Sequence, residues 1–529
     1  MIRDIRDFEA GISLDAEVCI VGSGALGLAV AREFLSESAR VIVLEGGGPA
    51  HEDESQDPYR SEVIGIPHEG IHIGRTRVLG GTTTLWAGQA LPLAEIDFEK
   101  RDWVAESGWP ITKEDLTDYY RRAEDVMEVE HLGYDRESWP HADDAPPAYD
   151  PDIAYPLFSQ FTLTPDFRDK YREPLAASAN VEVITHANVL SLEANEGATA
   201  VREVRARSLD GRDLTVRARY VVVACGGIES ARLLLVSDSV EKTGIGNRHD
   251  VVGRYFQDHP HYVVESVHPR NPHQFDRWFN AFVRGRVRFA LKAAASERLQ
   301  REKRITGIVC EIHYPSDPND PLAAARQIMA VLRGQAQSAG LLPSLGRVAR
   351  QPGRIVSEVF RRTVLNQAVS QGAVRPQLVF GCEQEPNPNS RVRLSDVRDR
   401  LGVRRTVLDW QVTGAEYRAI EVFAQALSGE WQRLGIADLD LSKMDFSGSE
   451  GTLKDSYHHI GTTRMGTDPR TSVVDARCRV HGYDNLYVAG SSVFPTGGFS
   501  NPTLTAIALA LRSADEIKRA LSRSDPSRV

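Results

Sequence analysis

The chain has 529 residues, too many for one ordinary core, with 41% hydrophobic and 26% charged residues, the balance of a soluble globular protein of two or three domains. A net charge of -10 and the lack of a general basic stripe exclude a nucleic-acid partner. The five cysteines, Cys19, Cys225, Cys310, Cys382 and Cys478, are odd in number, widely separated and form no CxxC, which argues against a disulfide framework or a zinc site and fits a reducing, cytoplasmic setting.

The N-terminal "MIRDIRDFEAGISLD" carries charges throughout and has no apolar h-region, so no signal peptide is expected. No apolar run reaches the length of a membrane span. The first organised segment follows. Val18–Val21 read as a buried strand, Gly22-Ser23-Gly24-Ala25-Leu26-Gly27 as a glycine turn, and Leu28, Val30, Ala31, Phe34 and Leu35 as a helix at apolar spacing. A second strand, Val41–Leu44, ends at Glu45, completing a βαβ unit. Gly22 makes the tight turn, Gly24 lets backbone approach a pyrophosphate, and Gly27 lets helix and strand pack closely. The phosphates sit on the helix N-terminus and Glu45 stands at the spacing of a carboxylate that grips a ribose hydroxyl. A lone GxGxxG is weak, but strand, helix and terminal acid are all present here, so a dinucleotide site is expected.

"GRTRVLGGTTTLWAGQALPL", residues 74–93, is a second glycine- and threonine-rich stretch. Gly80 and Gly81 let backbone pass close to a flat ligand, and the hydroxyls of Thr83 and Thr84 either bond that ligand or turn back to their own backbone. Residues 181–220 read as a small antiparallel sheet with Asp210-Gly211 as a hairpin turn. Tyr220–Ala224 form a strand, Gly226-Gly227 a turn, and an apolar helix follows. "QDHPHY" at 257–262 is a metal-like cluster of Asp258, His259 and His261, or a short loop between domains, and the loop is the expectation. Between Arg326 and Arg362, seven arginines (Arg326, Arg333, Arg347, Arg350, Arg354, Arg361, Arg362) face one acid, Glu358, amid apolar residues. Pro343, Pro352 and glycines break this stretch, so a covering insertion or an oligomer contact is expected over a membrane-surface helix. Near the C-terminus, "HHIGTTRMG" at 458–466 precedes a strand ending at Ala489-Gly490, and a loop ending at Asn501-Pro502 opens a long apolar helix.

These blocks together resemble the glucose–methanol–choline (GMC) oxidoreductase family. The similarity runs through "VGSGALG…VIVLEGG", "LGGTTTLWAG", "ACGGIESARLLL", "EQEPNPNSRVRLS", "HHIGTTRMG" and "FPTGGFSNPTLTAIALALRSAD", in that order. The last motifs look most like the branch with pyranose 2-oxidase and glycoside 3-oxidases. The resemblance implies an α/β fold, a doubly wound Rossmann-type FAD domain with a substrate domain on an antiparallel sheet. The separated motif blocks place the first at 1–99, 180–260 and 455–529 and the second, interleaved, at 100–179 and 261–454, with a lid or oligomerisation insertion read at 316–372 from the arginine-rich stretch. It implies His458 as the catalytic histidine and Asn501 as the second active-site position, which is His in some relatives and Asn in others. The cofactor contacts implied are Gly22, Gly24, Ala25, Gly27, Glu45, Gly80, Gly81, Thr83, Thr84, Val189 (through its backbone, to adenine), Ala224, Gly490, Asn501, Pro502 and Thr503. Where pyranose 2-oxidase has a flavin-linking histidine, this chain has Leu85, which implies dissociable FAD.

Oxidising an alcohol removes a proton from oxygen and a hydride from carbon. With the hydride leaving to flavin N5, a base must take the proton, and His458 suits that role. The Asn501 amide cannot titrate but can hold the substrate oxygen. His459, the next residue on extended chain, should point to the opposite side and be structural. Arg464 is read as structural, and no metal is expected. The leading expectation is oxidation of a sugar or glycoside secondary alcohol, at C3 or C2, to a ketone, with oxygen or a quinone-like acceptor as reoxidant. The alternatives are another alcohol (a cyclitol, sterol or primary alcohol) and a flavin-binding protein without turnover. A homo-oligomer is compatible with all of these.

Overall fold

The computed structural model describes residues 1–139, 145–265, 267–314, 376–449 and 451–523, with the helix Leu341–Arg350 and a few single positions near it. Of the arginine-rich stretch 326–362, everything beyond that helix and those positions lies outside the described residues.

The larger sheet has eight strands, in the order Ile2–Asp4, Val181–Thr185, Val41–Leu44, Ile12–Val21, Asp213–Val223, Val201–Arg207 and Asn188–Ala194, with Leu486–Val488 paired to the far end of Asp213–Val223. Its central strands run parallel. Val41–Leu44 and Val181–Thr185 are buried along their whole length, as strands covered on both faces must be. The structure corrects the reading of 181–194 as antiparallel throughout. Val181–Thr185 is parallel to Val41–Leu44, and only Asn188–Ala194 turns back to pair antiparallel with Val201–Arg207. Two strands are also longer than read. Ile12–Val21 starts six residues before Val18, and Asp213–Val223 starts seven before Tyr220. Their early halves alternate polar and apolar residues, so they lack the continuous apolar run that marks a doubly covered strand.

The helix Thr503–Arg523 buries Leu504, Ile507, Leu511 and Ile517 and packs on Thr117–Met127 and on Ala25–Arg32. Burial of each such side chain stabilises the fold by about 1.5–3 kcal/mol. This anchors the mouth of the helix, where Asn501 sits.

The second sheet has seven strands and is antiparallel: His261–Val264, Gln377–Cys382, Ile308–His313, Val287–Ala295, Ala154–Thr162 and Gln89–Ala90 in order, with Phe282–Arg284 paired to Val287–Ala295. A three-stranded sheet, Arg391–Arg398, Arg404–Trp410 and Glu62–Gly65, contributes to a small separate core of Ile71, Ile228, Phe256, Val392, Leu408 and Trp410. Among the described residues no helix is long and apolar enough to cross a membrane.

Candidate active site

The strand Ile12–Val21 ends at Gly22, whose N–H donates to the Leu44 carbonyl at 2.8 Å. The helix Ala25–Arg32 begins immediately after Gly24, and no side chain caps it. Its first N–H groups are thus available to an anion. Space over Gly24 is open, with no atom within 4 Å of where a Cβ would stand. At Gly27 a Cβ would lie 1.9 Å from the Gly22 carbonyl oxygen, so only glycine lets the helix sit this close to the turn. The second glycine stretch touches the first: Gly80 N–H donates to the Ser23 carbonyl at 3.1 Å, and a Cβ on Gly81 would lie 2.8 Å from Gly24 Cα.

Beside this turn lies a cleft lined among others by Gly22, Glu45, Arg77, Asn188, Val189 and Cys225. Glu45 is already held: one carboxylate oxygen accepts from Ser23 N–H at 3.1 Å and Ser23 Oγ at 2.7 Å, the other from Gly47 N–H at 2.9 Å. The second oxygen keeps a lone pair. Arg77 donates from Nη2 to Asn188 Oδ1 at 2.6 Å, while its buried Nε has no partner among the described residues. A buried orphan donor, an open turn over Gly24 and an uncapped helix start together fit the ADP half of a dinucleotide such as FAD.

The second cluster forms where Gln257 and Ile460 pair as an antiparallel bridge, bringing 255–259 against 456–462. Asp258 is at its centre and fully buried. Its Oδ1 accepts from the N–H groups of His259 at 2.6 Å, His458 at 3.1 Å and Ser456 at 3.2 Å, and from Ser456 Oγ at 2.6 Å. Its Oδ2 accepts from His68 Nε2 at 3.0 Å. Burial alone would raise this carboxyl, but the hydrogen bond from His68 and the surrounding histidines hold it well below the usual carboxylate range. His458 Nδ1 lies 2.9 Å from His259 Nδ1 and 3.0 Å from Ser456 Oγ. His458 Nε2 lies 3.3 Å from Asn501 Nδ2. Burial, and then the neighbouring His259, push the His458 imidazole down to about 3, so it is neutral at physiological pH.

His459 turns away from this pair. It is buried with its ring 5.4 Å from His68 and 6.0 Å from Phe256, and its Nε2 has no partner among the described residues. His68, Asp258 and His459 place three potential ligand atoms within 4.8 Å of one another. However, His68 Nδ1 accepts from Ile71 N–H at 3.2 Å, so its proton is on Nε2 and is donated to Asp258. A protonated Nε2 cannot ligate, and the cluster is a hydrogen-bond hub.

Models of the GMC oxidoreductase family match residues 167–261 and 386–510. The chain belongs to the GMC oxidoreductase family. It is 26% identical to 6'''-hydroxyparomomycin C oxidase of Streptomyces lividus, over 97% of this chain and 93% of that one. It is 48% identical to the C-glycoside 3-oxidase of Arthrobacter globiformis, over 13% of each chain. Its fold matches the crystal structure of pyridoxine 4-oxidase from Mesorbium loti with a TM-score of 0.55 and 18% identity, over 95% of this chain and 99% of that one.

The remaining residues of this GMC oxidoreductase divide plainly. Val189 lines the same cleft at a bulge in its strand pairing, and Ala224 donates its N–H to the Val21 carbonyl. Ala25 and Thr503 each open a helix, with Pro502 buried just before the second and Gly490 just before the short turn Ser491–Val493. The two threonines turn to their own backbone: Thr83 Oγ1 donates to the Gly80 carbonyl at 2.6 Å and accepts from Phe167 N–H, and Thr84 Oγ1 donates to the Gly81 carbonyl at 3.0 Å. That leaves neither hydroxyl proton free for a ligand. Leu85 is 58% exposed. Arg464 is buried, donates to the Glu106 carbonyl at 2.7 Å and lies 4.3 Å over the Tyr255 ring.

Residues 258–260 form the short connecting loop expected between the sheets, but Asp258 and His259 are buried members of the site, and His261 already begins a strand. Sequence reasoning also missed His68 and Ser456. The one available signal was an acid between histidine-rich stretches, "QDHPHY", matched by a second, "SYHH". On the antiparallel sheet, Lys292 and Glu311 are register partners with Nζ and Oε2 3.2 Å apart, and His313 lies 3.6 Å from the same carboxylate.

Proposed function

We propose that this protein is an FAD-dependent oxidoreductase that oxidises a ring secondary alcohol of a sugar or glycoside, at C3 or C2, to a ketone. The observation that carries this reading is the pair His458 Nε2 and Asn501 Nδ2, 3.3 Å apart, in a chain that also builds the glycine turn of a dinucleotide site at Gly22–Gly27. Gly22, Gly24, Gly27, Glu45, Arg77 and Val189 would hold the ADP half of FAD. When bound, FAD supplies a hydride acceptor. His458, neutral through burial, takes the hydroxyl proton at Nε2. The Asn501 amide donates to the substrate oxygen and fixes its orientation. Asp258, fully ionised nearby, favours the imidazolium that forms on His458. The charge of Lys292, which is paired with Glu311 at 3.2 Å, is felt at His458. The similarity to an oxidase of an aminoglycoside and to a C-glycoside 3-oxidase supports a sugar-like substrate. Those two names give different positions of attack, so C3 rests on the shorter, more identical match, and C2 on the resemblance of the C-terminal motifs alone. The two sheets support a division into an FAD domain of 1–99, 180–260 and 455–529 and a substrate domain between them, with the exception of Gln89–Ala90, which pairs into the antiparallel sheet. The test is anaerobic mixing of holoenzyme with D-glucose, D-fructose and methyl glucosides, followed by carbon NMR of the product. A keto carbon at C3 or C2 is expected, and oxidation confined to a primary alcohol, or no bleaching by any sugar, would refute the proposal.

A further inference from the structure

We propose that His458 is held as a single tautomer, with its proton on Nδ1 and Nε2 bare, by two hydrogen-bond chains anchored at Asp258 and at the Gly497 carbonyl. This rests on reading His458 as the base. The first chain starts at the Asp258 carboxylate, which can only accept. The single hydroxyl proton of Ser456 is therefore given to Asp258 Oδ1, at 2.6 Å. The Ser456 oxygen, with its proton spent, can only accept along its 3.0 Å contact to His458 Nδ1, so that nitrogen carries a hydrogen.

The second chain is independent of the first. His259 Nε2 lies 3.4 Å from the Gly497 carbonyl, an acceptor, so the His259 proton is on Nε2. Burial lowers the His259 imidazole and keeps it neutral, which leaves its Nδ1 as an acceptor. Across the 2.9 Å contact between the two Nδ1 atoms, the hydrogen again belongs to His458. Both chains give the same answer, and Asn501 agrees with it: its Nδ2 is a donor, and it faces Nε2. Asp258 also grips the backbone N–H groups of His259 and His458, so one carboxylate sets both the position of the two rings and the protonation of the base. Ser456, His259 and Asp258 are thus positioning residues. The arrangement matters because a histidine with the proton on Nε2 would present a donor to the alcohol and could not accept its proton.

The test is nitrogen-15 NMR of holoenzyme labelled at histidine, near neutral pH, with His458 assigned by the signals lost in His458→Gln. Nε2 should resonate at the far-downfield position of a bare imidazole nitrogen and Nδ1 at the position of a protonated one. The double variant Ser456→Ala/His259→Phe removes both acceptors and should shift the two signals toward each other as the tautomers mix, while Ser456→Thr keeps the hydroxyl and should leave them in place. A proton on Nε2 in the unmodified enzyme would overturn the proposal, and so would unchanged signals in the double variant. The wild-type measurement decides even if the double variant does not fold. Failure of the base assignment reads differently: His458→Gln would then still reduce its flavin at nearly the wild-type rate, whatever the tautomer.

Discussion

Asn501 Nδ2 stands 3.3 Å from His458 Nε2, joining the loop at the mouth of the last helix to the turn at 458–466. The two side chains converge although 43 positions separate them. Because the amide cannot titrate, its contribution is to orient, and its removal should leave the fold intact. Asn501→Ala should keep flavin and slow anaerobic flavin reduction by about 10²–10³, the usual cost of losing one donor to a developing oxyanion. Stopped-flow reduction measures this, and a rate within about threefold of wild type would remove Asn501 from the reacting pair.

The low position of His458, about 3, has a kinetic consequence. Burial is the largest cause. His259, His261 and Lys292 push the same way, and Asp258 opposes them. A base must be unprotonated to act, so activity is retained above its pKa and lost below it. Flavin reduction should be flat from neutrality down to about pH 5 and fall only toward about pH 3. An ascending limb centred between about pH 6 and 7 would contradict the burial of this imidazole.

Leu85, which is exposed, stands where the resemblance to pyranose 2-oxidase places a flavin-linking histidine, and leucine cannot form that bond. Acid precipitation should therefore release all the flavin to the supernatant. Yellow colour remaining on washed protein would show a covalent link from another residue. Free FAD at about 100 times its dissociation constant should stabilise the apoprotein by about 2.7 kcal/mol. Thermal unfolding with and without added FAD reads this.

Glu416 is fully buried, with its carboxylate held by the N–H groups of Glu385 at 2.9 Å and Gly414 at 3.1 Å. Burial pushes its carboxyl up to about 7 from the usual 4.5 despite those bonds. Between these values the unfolded chain releases this proton and the folded chain keeps it. Stability from this group is therefore complete below about pH 4.5, falls as pH rises, and levels off above about pH 7, a loss of about 3 kcal/mol. Glu416→Gln should lack that loss. Denaturant titrations of both proteins across this range test it, and parallel pH dependences would contradict it.

What the sequence made legible was what is local. Gly22, Gly24, Gly27 and Glu45 fall within one βαβ unit, where spacing along the chain is spacing in space. Val41–Leu44 announced itself by an unbroken apolar run, whereas the start of Ile12–Val21 was hidden by alternating polar residues. The Asp258 hub was not legible because its members come from separate parts of the chain, His68 being 190 positions from Asp258 and Ser456 198. The Gln257 and Ile460 bridge that unites them is a tertiary contact without periodicity. The threonines of 82–84 read equally as ligand contacts or as self-satisfied turns, and only coordinates distinguish a hydroxyl that faces its own carbonyl.

The most direct measurement is anaerobic stopped-flow reduction of His458→Gln and wild-type holoenzyme by whichever sugar bleaches the flavin fastest. If His458 takes the substrate proton, the variant should bind FAD as wild type does and reduce it about 10²–10⁴ times more slowly. Equal rates in the two proteins would contradict the assignment of His458 as the base.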